Sequence, residues 1–359
     1  MKKTVLIMAG GRGERFWPKS RRNLPKQFLS LTDDGVTMIQ HTVNRILPLV
    51  DVNDIFISTN EEYIGLVKEQ LPNIPKENIL CEPISKNTAP CIALAAGHIQ
   101  NKYDDAVMIV LPSDHLIKNN EMFLYTLTDA IEVAQSDANL VTIGITPTHP
   151  EVGYGYIKFS NKRASFGEST AFKVEKFVEK PNLEKAKEYL SCGTYLWNSG
   201  MFVWKVSSIM ENFKANLPSI YAGVNAILAA KSAGNYEKVL QEKFGELESV
   251  SIDYGILEKA ENIFVLPATF GWDDVGSWLA LERLYKTDDC NNVISGNIIT
   301  IDTQNSIIQG SEKLIALVGV EDLIVVDTQD ATLICNKSDA NKIKKVLENL
   351  KICNRKEYI

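Results

Sequence analysis

A short apolar run followed at once by a glycine-rich loop opens this 359-residue chain: Thr4-Val5-Leu6-Ile7-Met8-Ala9-Gly10-Gly11-Arg12-Gly13-Glu14-Arg15. The run has the length of a buried strand, and parallel α/β folds place phosphate-binding turns directly after their first strand. Glycine amides can approach an anion closely, and Arg12 and Arg15 can each bind a phosphate through two hydrogen bonds. Lys26 follows on a loop stiffened by Pro25. The sequence therefore predicts a site for a phosphate-bearing ligand after the first strand.

The loop fits neither of the two common nucleotide motifs. A dinucleotide fingerprint that starts at Gly11 would need Gly or Ala where Phe16 stands. A P-loop would need Gly-Lys-Ser/Thr where Arg15 stands. Taken alone, the loop is equally compatible with a turn that carries solvated basic residues, so the rest of the chain must decide.

Apolar runs alternate with helical patterns over the first 145 residues. The candidate strands are residues 4–9, 54–59, 106–111 and 140–145. The clearest helical patterns between them are residues 88–103, with Thr88 as the expected N-cap, and residues 122–134. This order predicts an α/β fold with a mostly parallel sheet covered by helices on both faces.

The pattern changes to short β segments after Asn291, so we expect domains at 1–287 and 288–359. Apolar residues spaced by six indicate a hexapeptide β-helix, with a small antiparallel β domain as the alternative. These residues are Ile308, Leu314, Val320 and Val326. An amphipathic helix is predicted after Ser338 as N-cap, with Ile343, Val346, Leu347 and Leu350 on one face. We assign its lysines Lys342, Lys344 and Lys345 to a solvated face without a function.

The composition excludes several classes of protein. The chain has 38 basic and 45 acidic residues, a net charge of -7, so we expect no nucleic-acid partner. No apolar run approaches the roughly 20 residues that span a bilayer, and the first run is too short for a signal peptide, so we expect no membrane partner and a cytoplasmic location. The six cysteines and four histidines lack metal-ligand spacing. Any metal should be held by oxygen.

Two loops supply carboxylates. Asp114 follows the apolar run that ends at Leu111, where open α/β sheets bind ligands, although Asp also commonly caps a turn. Asp273 and Asp274 lie between Gly271 and Gly276, flanked by tryptophans. Carboxylates from two such loops could hold one Mg²⁺ whose remaining ligands are water and phosphate oxygens.

These features belong to a longer series of motifs. The series is Gly10-Gly11-Arg12-Gly13-Glu14-Arg15 with Pro25-Lys26-Gln27-Phe28, Glu82-Pro83 with Asn87-Thr88-Ala89-Pro90, Leu111-Pro112-Ser113-Asp114-His115, Gly153-Tyr154-Gly155-Tyr156-Ile157, Phe177-Val178-Glu179-Lys180-Pro181, Trp197-Asn198-Ser199-Gly200-Met201-Phe202, Ser251-Ile252-Asp253-Tyr254 and the loop 272–278. In this order it resembles the sugar-1-phosphate nucleotidylyltransferases, in particular the members that use GTP and mannose 1-phosphate. The β segment at the end resembles the β-helix-like tail of the family's short form.

The resemblance implies a Rossmann-like nucleotidyltransferase sheet followed by a small β-helix-like domain that ends in a helix. It also implies transfer of GMP from GTP to mannose 1-phosphate, with Mg²⁺ as cofactor and with GDP-mannose and pyrophosphate as products. The catalytic residues would be Arg15, Lys26, Asp114 and Asp274, of which the two aspartates would bind the metal. The nucleotide would be held by Gly10, Gly11, Arg12, Gly13, Pro83, Asn87, Thr88 and Ser113. The sugar phosphate would face Gly155, Glu179, Lys180, Asn198 and Asp253.

Some positions depart from the family pattern, and other functions stay open. Lys86 stands where the family usually has Arg, and Asp273 stands where Ser is common, so either Asp273 or Asp274 could be the metal ligand. A nucleotidylyltransferase for another base or sugar is the close alternative, and a non-catalytic nucleotide-sugar sensor is a more distant one. Phe16 and the cationic loop disfavour a nicotinamide dehydrogenase. We also expect a homodimer, and no isomerase activity because the last seventy residues are few and lack a histidine metal site.

Overall fold

The computed structural model of the chain describes residues 1–11, 13–32 and 34–359. Its strands are β1 (Lys2–Met8), β2 (Ile55–Asn60), β3 (Ile79–Glu82), β4 (Ala106–Pro112), β5 (Leu116–Ile117), β6 (Leu140–Ile145), β7 (Tyr156–Phe166), β8 (Ser169–Val178), β9 (Tyr195–Lys205), β10 (Ile263–Ala268), β11 (Trp272–Asp273), β12 (Val293–Ser295), β13 (Ile298–Ile301), β14 (Ile307–Gln309), β15 (Ile315–Val318), β16 (Leu323–Asp327) and β17 (Thr332–Asn336). Its α-helices are α1 (Met38–Ile46), α2 (Ile64–Gln70), α3 (Thr88–Lys102), α4 (Asn120–Ser136), α5 (Leu183–Cys192), α6 (Val206–Asn216), α7 (Pro218–Ser232), α8 (Tyr236–Glu246), α9 (Leu281–Leu284) and α10 (Ile343–Ile352).

The chain divides into two compact units. The first, which we call the sheet unit, comprises Met1–Gly10, Thr42–Ser113 and Ile117–Trp272. The second, which we call the β-helix unit, comprises Gly11–His41, Asp114–Leu116 and Asp273–Ile359. The β-helix unit therefore contains residues from both sides of position 287. No helix in the part of the chain that the structure describes is long and apolar enough to cross a membrane.

The sheet unit is built around a nine-stranded sheet in the order β3-β2-β1-β4-β9-β6-β10-β8-β7. Only β9 and β8 run opposite to the other seven strands. Every residue of β4 from Ala106 to Leu111 is buried, which requires apolar cover on both faces of the sheet. The prediction of a mostly parallel sheet with helices on both faces is confirmed.

The start of α3 differs from the prediction. Asn87, not Thr88, is the N-cap: its side chain accepts a hydrogen bond from the Thr88 N–H, and its φ is 68°. Asparagine tolerates this left-handed conformation better than a β-branched threonine does. The Thr88 hydroxyl instead accepts a hydrogen bond from the Ile252 N–H at 2.8 Å. Two neighbouring polar residues can both cap a helix, and a distant contact decides between them.

The β segments of the β-helix unit form a parallel coil. Strands β12, β14 and β16 make one parallel sheet, and β13 pairs in parallel with β15. Ile307 pairs with Ile324 and Ile298 with Ile315, a separation of 17 residues (324 − 307 and 315 − 298), whereas Val293 pairs with Ile307, a separation of 14 (307 − 293). The β-helix-like fold is confirmed. The antiparallel β17 closes the edge of β16.

The predicted spacing of six agrees with the structure only in part: Ile308 and Val320 pack in one apolar cluster with Val325. Leu314 precedes β15 and is exposed, and Val320 lies between strands. Ile308 pairs with Val325, one residue before Val326. The separation between paired residues is 14 in one turn of the coil and 17 in the next. A constant spacing of six residues, which would give 18, therefore does not match the strand register.

Helix α10 has the predicted buried face but a different start. Ile343 and Leu347 are buried. Ser338 is not an N-cap: the Asn336 side chain accepts from the Ser338 N–H and caps the 3₁₀ turn Lys337–Lys342, after which α10 begins at Ile343. The buried face of α10 belongs to the same apolar cluster as Phe16 and Trp17, which follow the glycine-rich loop.

Candidate active site

A buried lysine joins three distant segments of the β-helix unit. Lys26 begins the 3₁₀ turn Lys26–Phe28 and is only 5% exposed. Its Nζ donates to Asp114 Oδ2 at 2.9 Å and to the Asp274 carbonyl oxygen at 2.6 Å. Because an ammonium group has three donors, these two bonds fix its position and leave one donor direction for another partner.

A cavity of about 490 Å³ opens around this lysine, which is in the size range of small-ligand sites. Five of the predicted site residues line it: Gly13, Arg15, Lys26, Asp114 and Asp274. Sequence reasoning assigned no role to three other charged or titratable lining residues, Glu14, His115 and Lys344. Glu14 lies within the glycine-rich motif and His115 within the motif of the first acidic loop, whereas Lys344 is marked in the sequence only as one lysine of a lysine-rich helix. The cavity is therefore bordered by the glycine-rich loop, both acidic loops and α10.

Gly13 allows Lys26 to reach this position. A Cβ atom at Gly13 would lie 2.4 Å from Lys26 Cβ and 2.6 Å from the Lys26 amide nitrogen, and the φ of Gly13 is +58°. Both facts exclude any side chain there without rearrangement. At Gly11, by contrast, an added Cβ would meet no atom of the described residues within 4 Å, and the carbonyl oxygen of Gly11 accepts a hydrogen bond from Gln27 Nε2 at 2.8 Å.

The two glycines provide a matched pair of variants. We expect Gly13→Ala to lower the free energy of unfolding by about 2–4 kcal/mol, because the strain of a positive φ and the steric clash with Lys26 both destabilise the folded state. We expect Gly11→Ala to change the unfolding free energy by less than about 0.5 kcal/mol. Urea unfolding measures both, and equal changes in the free energy of unfolding for the two variants would contradict the packing of Gly13 on Lys26.

The electrostatics of the cavity keep Asp114 ionised. Desolvation by itself raises the pKa of Asp114, but the charge and hydrogen bond of Lys26, together with His115 and a backbone hydrogen bond, outweigh it and hold the pKa below its usual value. Desolvation lowers the pKa of His115, Asp114 opposes that shift and Lys26 adds to it, so the pKa lies below that of a free imidazole. At pH 7, His115 is therefore neutral and Asp114 is a carboxylate.

The two neighbouring aspartates of the second acidic loop have different environments. Asp273 accepts from Arg283 Nε at 2.5 Å and from Arg283 Nη2 at 3.0 Å, and its side chain is 9% exposed. It also accepts from the Val275 N–H at 2.8 Å. Asp274, on the other hand, lines the cavity. A carboxylate already bound by a bidentate arginine is poorly suited to bind a metal, which disfavours Asp273 as a metal ligand.

The donor set of the cavity suits a hard cation. Asp114 and Asp274 supply carboxylates, and Mg²⁺ characteristically takes one or two protein carboxylates plus water and phosphate oxygens. In residues 1–11, 13–32 and 34–359 no three His, Cys, Asp or Glu side chains form a group that could hold a metal by themselves. The site is therefore suited to a metal that is completed by a phosphate ligand.

Arg15 of the glycine-rich loop is held less firmly than Lys26. Its Nη1 lies 3.4 Å from the Gly276 carbonyl oxygen, a long hydrogen bond. Arg12 lies outside the described residues. The other predicted nucleotide-side and sugar-side residues belong to the sheet unit: Gly10, Pro83, Asn87, Thr88, Ser113, Gly155, Glu179, Lys180, Asn198 and Asp253.

Three of the nucleotide-side residues of the sheet unit, Gly10, Pro83 and Ser113, lie near the end of β1. The Gly10 carbonyl oxygen accepts from Asn60 Nδ2 at 3.2 Å, and a Cβ at Gly10 would lie 3.9 Å from Glu82 Oε1. Pro83 directly follows Glu82. The Ser113 N–H donates to the Met8 carbonyl oxygen at 3.2 Å, which places Ser113 beside the last residue of β1. Asn60 had no sequence signal as a member of this group.

The five sugar-side residues lie together in the sheet unit. The Asn198 N–H donates to the Gly155 carbonyl oxygen at 2.8 Å, and Asn198 Nδ2 donates to Asp253 Oδ1 at 2.7 Å. A Cβ at Gly155 would lie 3.2 Å from Glu179 Oε2, and Glu179 forms an ion pair with Lys180 at 3.3 Å. Desolvation raises the pKa of Asp253 although the hydrogen bond from Asn198 opposes the shift. Such a group of amides and carboxylates can bind the hydroxyls of a sugar.

Comparison with known families defines the class of protein. The family model described as nucleotidyl transferase matches residues 4–289, and the model described as MannoseP isomerase/GMP-like beta-helix domain matches residues 296–350. The first match covers most of the chain. The chain therefore belongs to the nucleotidyl transferase family, and it is an enzyme of that class, as the motifs predicted.

Individual relatives narrow this further. The chain is 41% identical over 361 residues to the mannose-1-phosphate guanylyltransferase of Salmonella montevideo, with 99% of this chain and 75% of that protein covered. A solved Thermus thermophilus protein, described as a mannose-1-phosphate geranyltransferase, superimposes with a TM-score of 0.88 and 33% identity over 98% of this chain and 100% of that chain. A Helicobacter pylori structure described as mannose-6-phosphate isomerase has a TM-score of 0.59 and 27% identity over 76% of this chain and 100% of that chain. Within its family, the chain belongs with the mannose-1-phosphate guanylyltransferases.

Proposed function

We propose that this enzyme transfers GMP from GTP to α-D-mannose 1-phosphate and releases pyrophosphate, with GDP-mannose as the sugar product. The observation that carries the proposal is the Lys26 ammonium, which is held between the two acidic loops inside a cavity bordered by the glycine-rich loop. A nucleotidyl transfer brings two anionic reactants together, so it requires charge neutralisation at the reacting phosphates. The relatives named above support the choice of base and sugar.

The chemical step needs positioning more than it needs a base. The phosphate oxygen of the sugar 1-phosphate attacks the α-phosphorus of GTP, the bond to the β-phosphate oxygen breaks, and pyrophosphate leaves in line. A sugar phosphate is already ionised at pH 7, so no group must remove a proton. Lys26, Arg15 and the amides of the glycine-rich loop neutralise and orient the phosphates, as in other phosphoryl transfers.

A metal ion completes this arrangement. Enzymes of the nucleotidyl transferase family generally depend on a metal. Asp114 and Asp274 would hold Mg²⁺, which supplies neutralisation of charge on the phosphate oxygens when it is bound. Because Lys26 contacts both acidic loops, it also fixes the distance between the segments that carry the two carboxylates.

Sugar selection is assigned to the group around Asn198. Asn198 Nδ2 donates to Asp253 Oδ1, and Asn198 Oδ1 accepts from the Gly200 N–H at 3.1 Å, so the carboxamide is held in one orientation. Glu179 and Lys180 add a carboxylate and an ammonium at the same group. A site that hydrogen-bonds the hydroxyls of one sugar rejects an epimer strongly, because the polar groups of the site are then left unpaired.

One grid of assays separates the proposal from its alternatives. Purified protein with Mg²⁺ is tested for pyrophosphate release with mannose 1-phosphate and glucose 1-phosphate against GTP, ATP, dTTP and UTP. The strongest turnover is expected with GTP and mannose 1-phosphate. Strong turnover with another pair would keep the mechanism and replace the substrates. No turnover with any pair, together with tight binding of GDP-mannose, would indicate a nucleotide-sugar sensor.

The likeness to the Helicobacter pylori structure described as an isomerase makes it useful to test this protein for isomerase activity. We expect the pure protein not to form fructose 6-phosphate from mannose 6-phosphate, since no histidine-based metal group occurs in the described part of the chain. A coupled assay for fructose 6-phosphate measures this. Product formed in proportion to the protein added would overturn the expectation.

Three further predictions remain proposals. The β13–β15 sheet exposes Ile299, Ile301 and Val318, which supports a homodimer through the β-helix unit. Sedimentation at micromolar concentration tests the homodimer.

The other two proposals concern location and domain division. All six cysteines are free thiols, which supports a cytoplasmic location. The two family matches, which end at 289 and begin at 296, support the division of the chain near 287.

A further inference from the structure

One wall of the active-site cavity comes from the last α-helix of the chain. Lys344 of α10 lines the cavity together with Gly13, Arg15 and Lys26. Its neighbour Ile343 is buried in the apolar cluster that contains Phe16, so the rotation of α10 about its axis is fixed. Because Ile343 faces this core, Lys344 is directed towards the glycine-rich loop rather than being free to turn away.

Charged side chains of both signs line the described part of the cavity. Glu14, Asp114 and Asp274 supply three carboxylates, and Arg15, Lys26 and Lys344 supply three cations. Among these residues, the negative charges are balanced only when Lys344 is included. A cavity that binds polyphosphate with a net negative lining would repel its ligand at short range.

Among the described cations of the cavity, Lys344 has the fewest hydrogen bonds and ion pairs with the protein. Lys26 Nζ is bonded to Asp114 and to the Asp274 carbonyl oxygen, and Arg15 lies near the Gly276 carbonyl oxygen. The ammonium of Lys344 makes no hydrogen bond or ion pair with any residue in 1–11, 13–32 or 34–359, and it is exposed. It can therefore bind a ligand without breaking a contact within the protein.

We propose that Lys344 binds the β- and γ-phosphates of the nucleoside triphosphate, and hence the pyrophosphate that leaves. Turns rich in glycine bind phosphates through backbone amides, and Lys344 lines the same cavity as that turn, so it meets the same phosphates. A lysine ammonium on a long, exposed side chain suits the outer phosphates, which it contacts as a point charge. This inference rests on the proposed nucleotidyl transfer and adds a role for α10 in it.

The adjacent lysine provides the matched control. Lys345 has the same charge on the same helix, is exposed, and does not line the cavity. Lys344→Met and Lys345→Met therefore remove the same charge from the protein one residue apart. Neither side chain is buried, so we expect both variants to unfold at the wild-type temperature.

Calorimetric titration of the full chain with pyrophosphate and Mg²⁺ measures the contact directly. We expect Lys344→Met to weaken pyrophosphate binding about tenfold and to raise the KM for GTP similarly, with the KM for mannose 1-phosphate unchanged. Lys344→Arg should stay within about threefold of the wild type. Lys345→Met should match the wild type.

The outcomes distinguish the two proposals. Equal pyrophosphate affinities of the Lys344→Met and Lys345→Met variants, or no measurable binding by the wild type, would overturn the role of Lys344. If the wild type binds pyrophosphate but turns over no pair of substrates, the proposed function fails. The difference between the two variants still tests Lys344 in that case, because the titration does not depend on turnover.

Discussion

Lys26→Met is expected to lower kcat by a hundredfold or more with GTP and mannose 1-phosphate. The substitution removes an ammonium that contacts Asp114 Oδ2 and the Asp274 carbonyl oxygen in the cavity, so it removes a cation from the phosphates and a link between the acidic loops. Loss of one preorganised electrostatic contact in an active site costs about a hundred- to a thousandfold in turnover. The Asp114 side chain is 35% exposed, so water can solvate its unpaired carboxylate and the variant should fold.

The pH dependence of the same variant separates a catalytic role from a structural one. In the wild type Lys26 holds the pKa of Asp114 below its usual value, so the ionised carboxylate and its stabilisation are present above the unfolded pKa, about 3.9, and are lost as the pH falls through the lower folded pKa. Without Lys26, the largest influence that opposes desolvation is lost, so that pKa rises. The acidic limb of the kcat/KM profile should therefore move to higher pH.

Lys19→Met is the control for Lys26→Met. Lys19 belongs to the same segment, and its Nζ donates to Gln309 Oε1 at 2.8 Å. We expect it to keep wild-type turnover and the wild-type acidic limb. A Lys26→Met variant that is folded and active at the wild-type rate would remove Lys26 from the mechanism. If Lys26→Met instead lost activity only in proportion to the fraction of unfolded protein, and the acidic limb did not move, we would conclude that Lys26 has a structural role.

Asp274→Asn and Asp273→Asn are expected to fail in different ways. Asp274 lines the cavity, so Asp274→Asn should reduce kcat/KM about a hundredfold or more and raise the Mg²⁺ concentration needed for half-maximal activity. Its thermal unfolding should stay near that of the wild type. Asparagine has nearly the same shape as aspartate, so the loss reports on the charge.

Asp273→Asn removes the charge from a bidentate ion pair in which the carboxylate is buried and the Arg283 side chain is 45% exposed. It should lower the free energy of unfolding by about 1.5–3 kcal/mol, the range for hydrogen bonds to charged groups, while the protein that remains folded keeps its Mg²⁺ requirement. Unfolding curves and Mg²⁺ titrations of activity distinguish the two variants. If Asp273→Asn raised the Mg²⁺ requirement and Asp274→Asn did not, the assignment of the metal ligand would be reversed.

Much of the sheet unit could be read from short-range patterns. The run before the glycine-rich loop is strand β1, the apolar run 106–111 is β4, and the helical pattern 88–103 is α3. Strands buried on both faces are apolar at every position, and helices repeat with a period of 3.6, so both leave a local signal. The motifs of the loop and of the sugar side likewise identified residues that the structure brings together within each unit.

The patterns failed where two neighbouring residues are chemically alike. Asn87 and Thr88 are both good caps, as are Asn336 and Ser338, and the choice depends on a backbone conformation and on a contact such as that between Thr88 and Ile252. The register of the β-helix also escaped prediction, because its turns of 14 and 17 residues are set by the lengths of the connecting segments and not by a constant spacing of six.

The amino-acid sequence alone determined the class of fold, the family and the chemical types present at the site, because strand and helix periods and motif spacing are local properties. Only the tertiary structure decided which of two adjacent side chains faces the cavity. Asp273 turns to Arg283, whereas Asp274 lines the cavity, and Lys344 joins the cavity because Ile343 packs in the core. Successive side chains on a backbone point in different directions, and contacts with residues far away in the chain select which of them reaches the site.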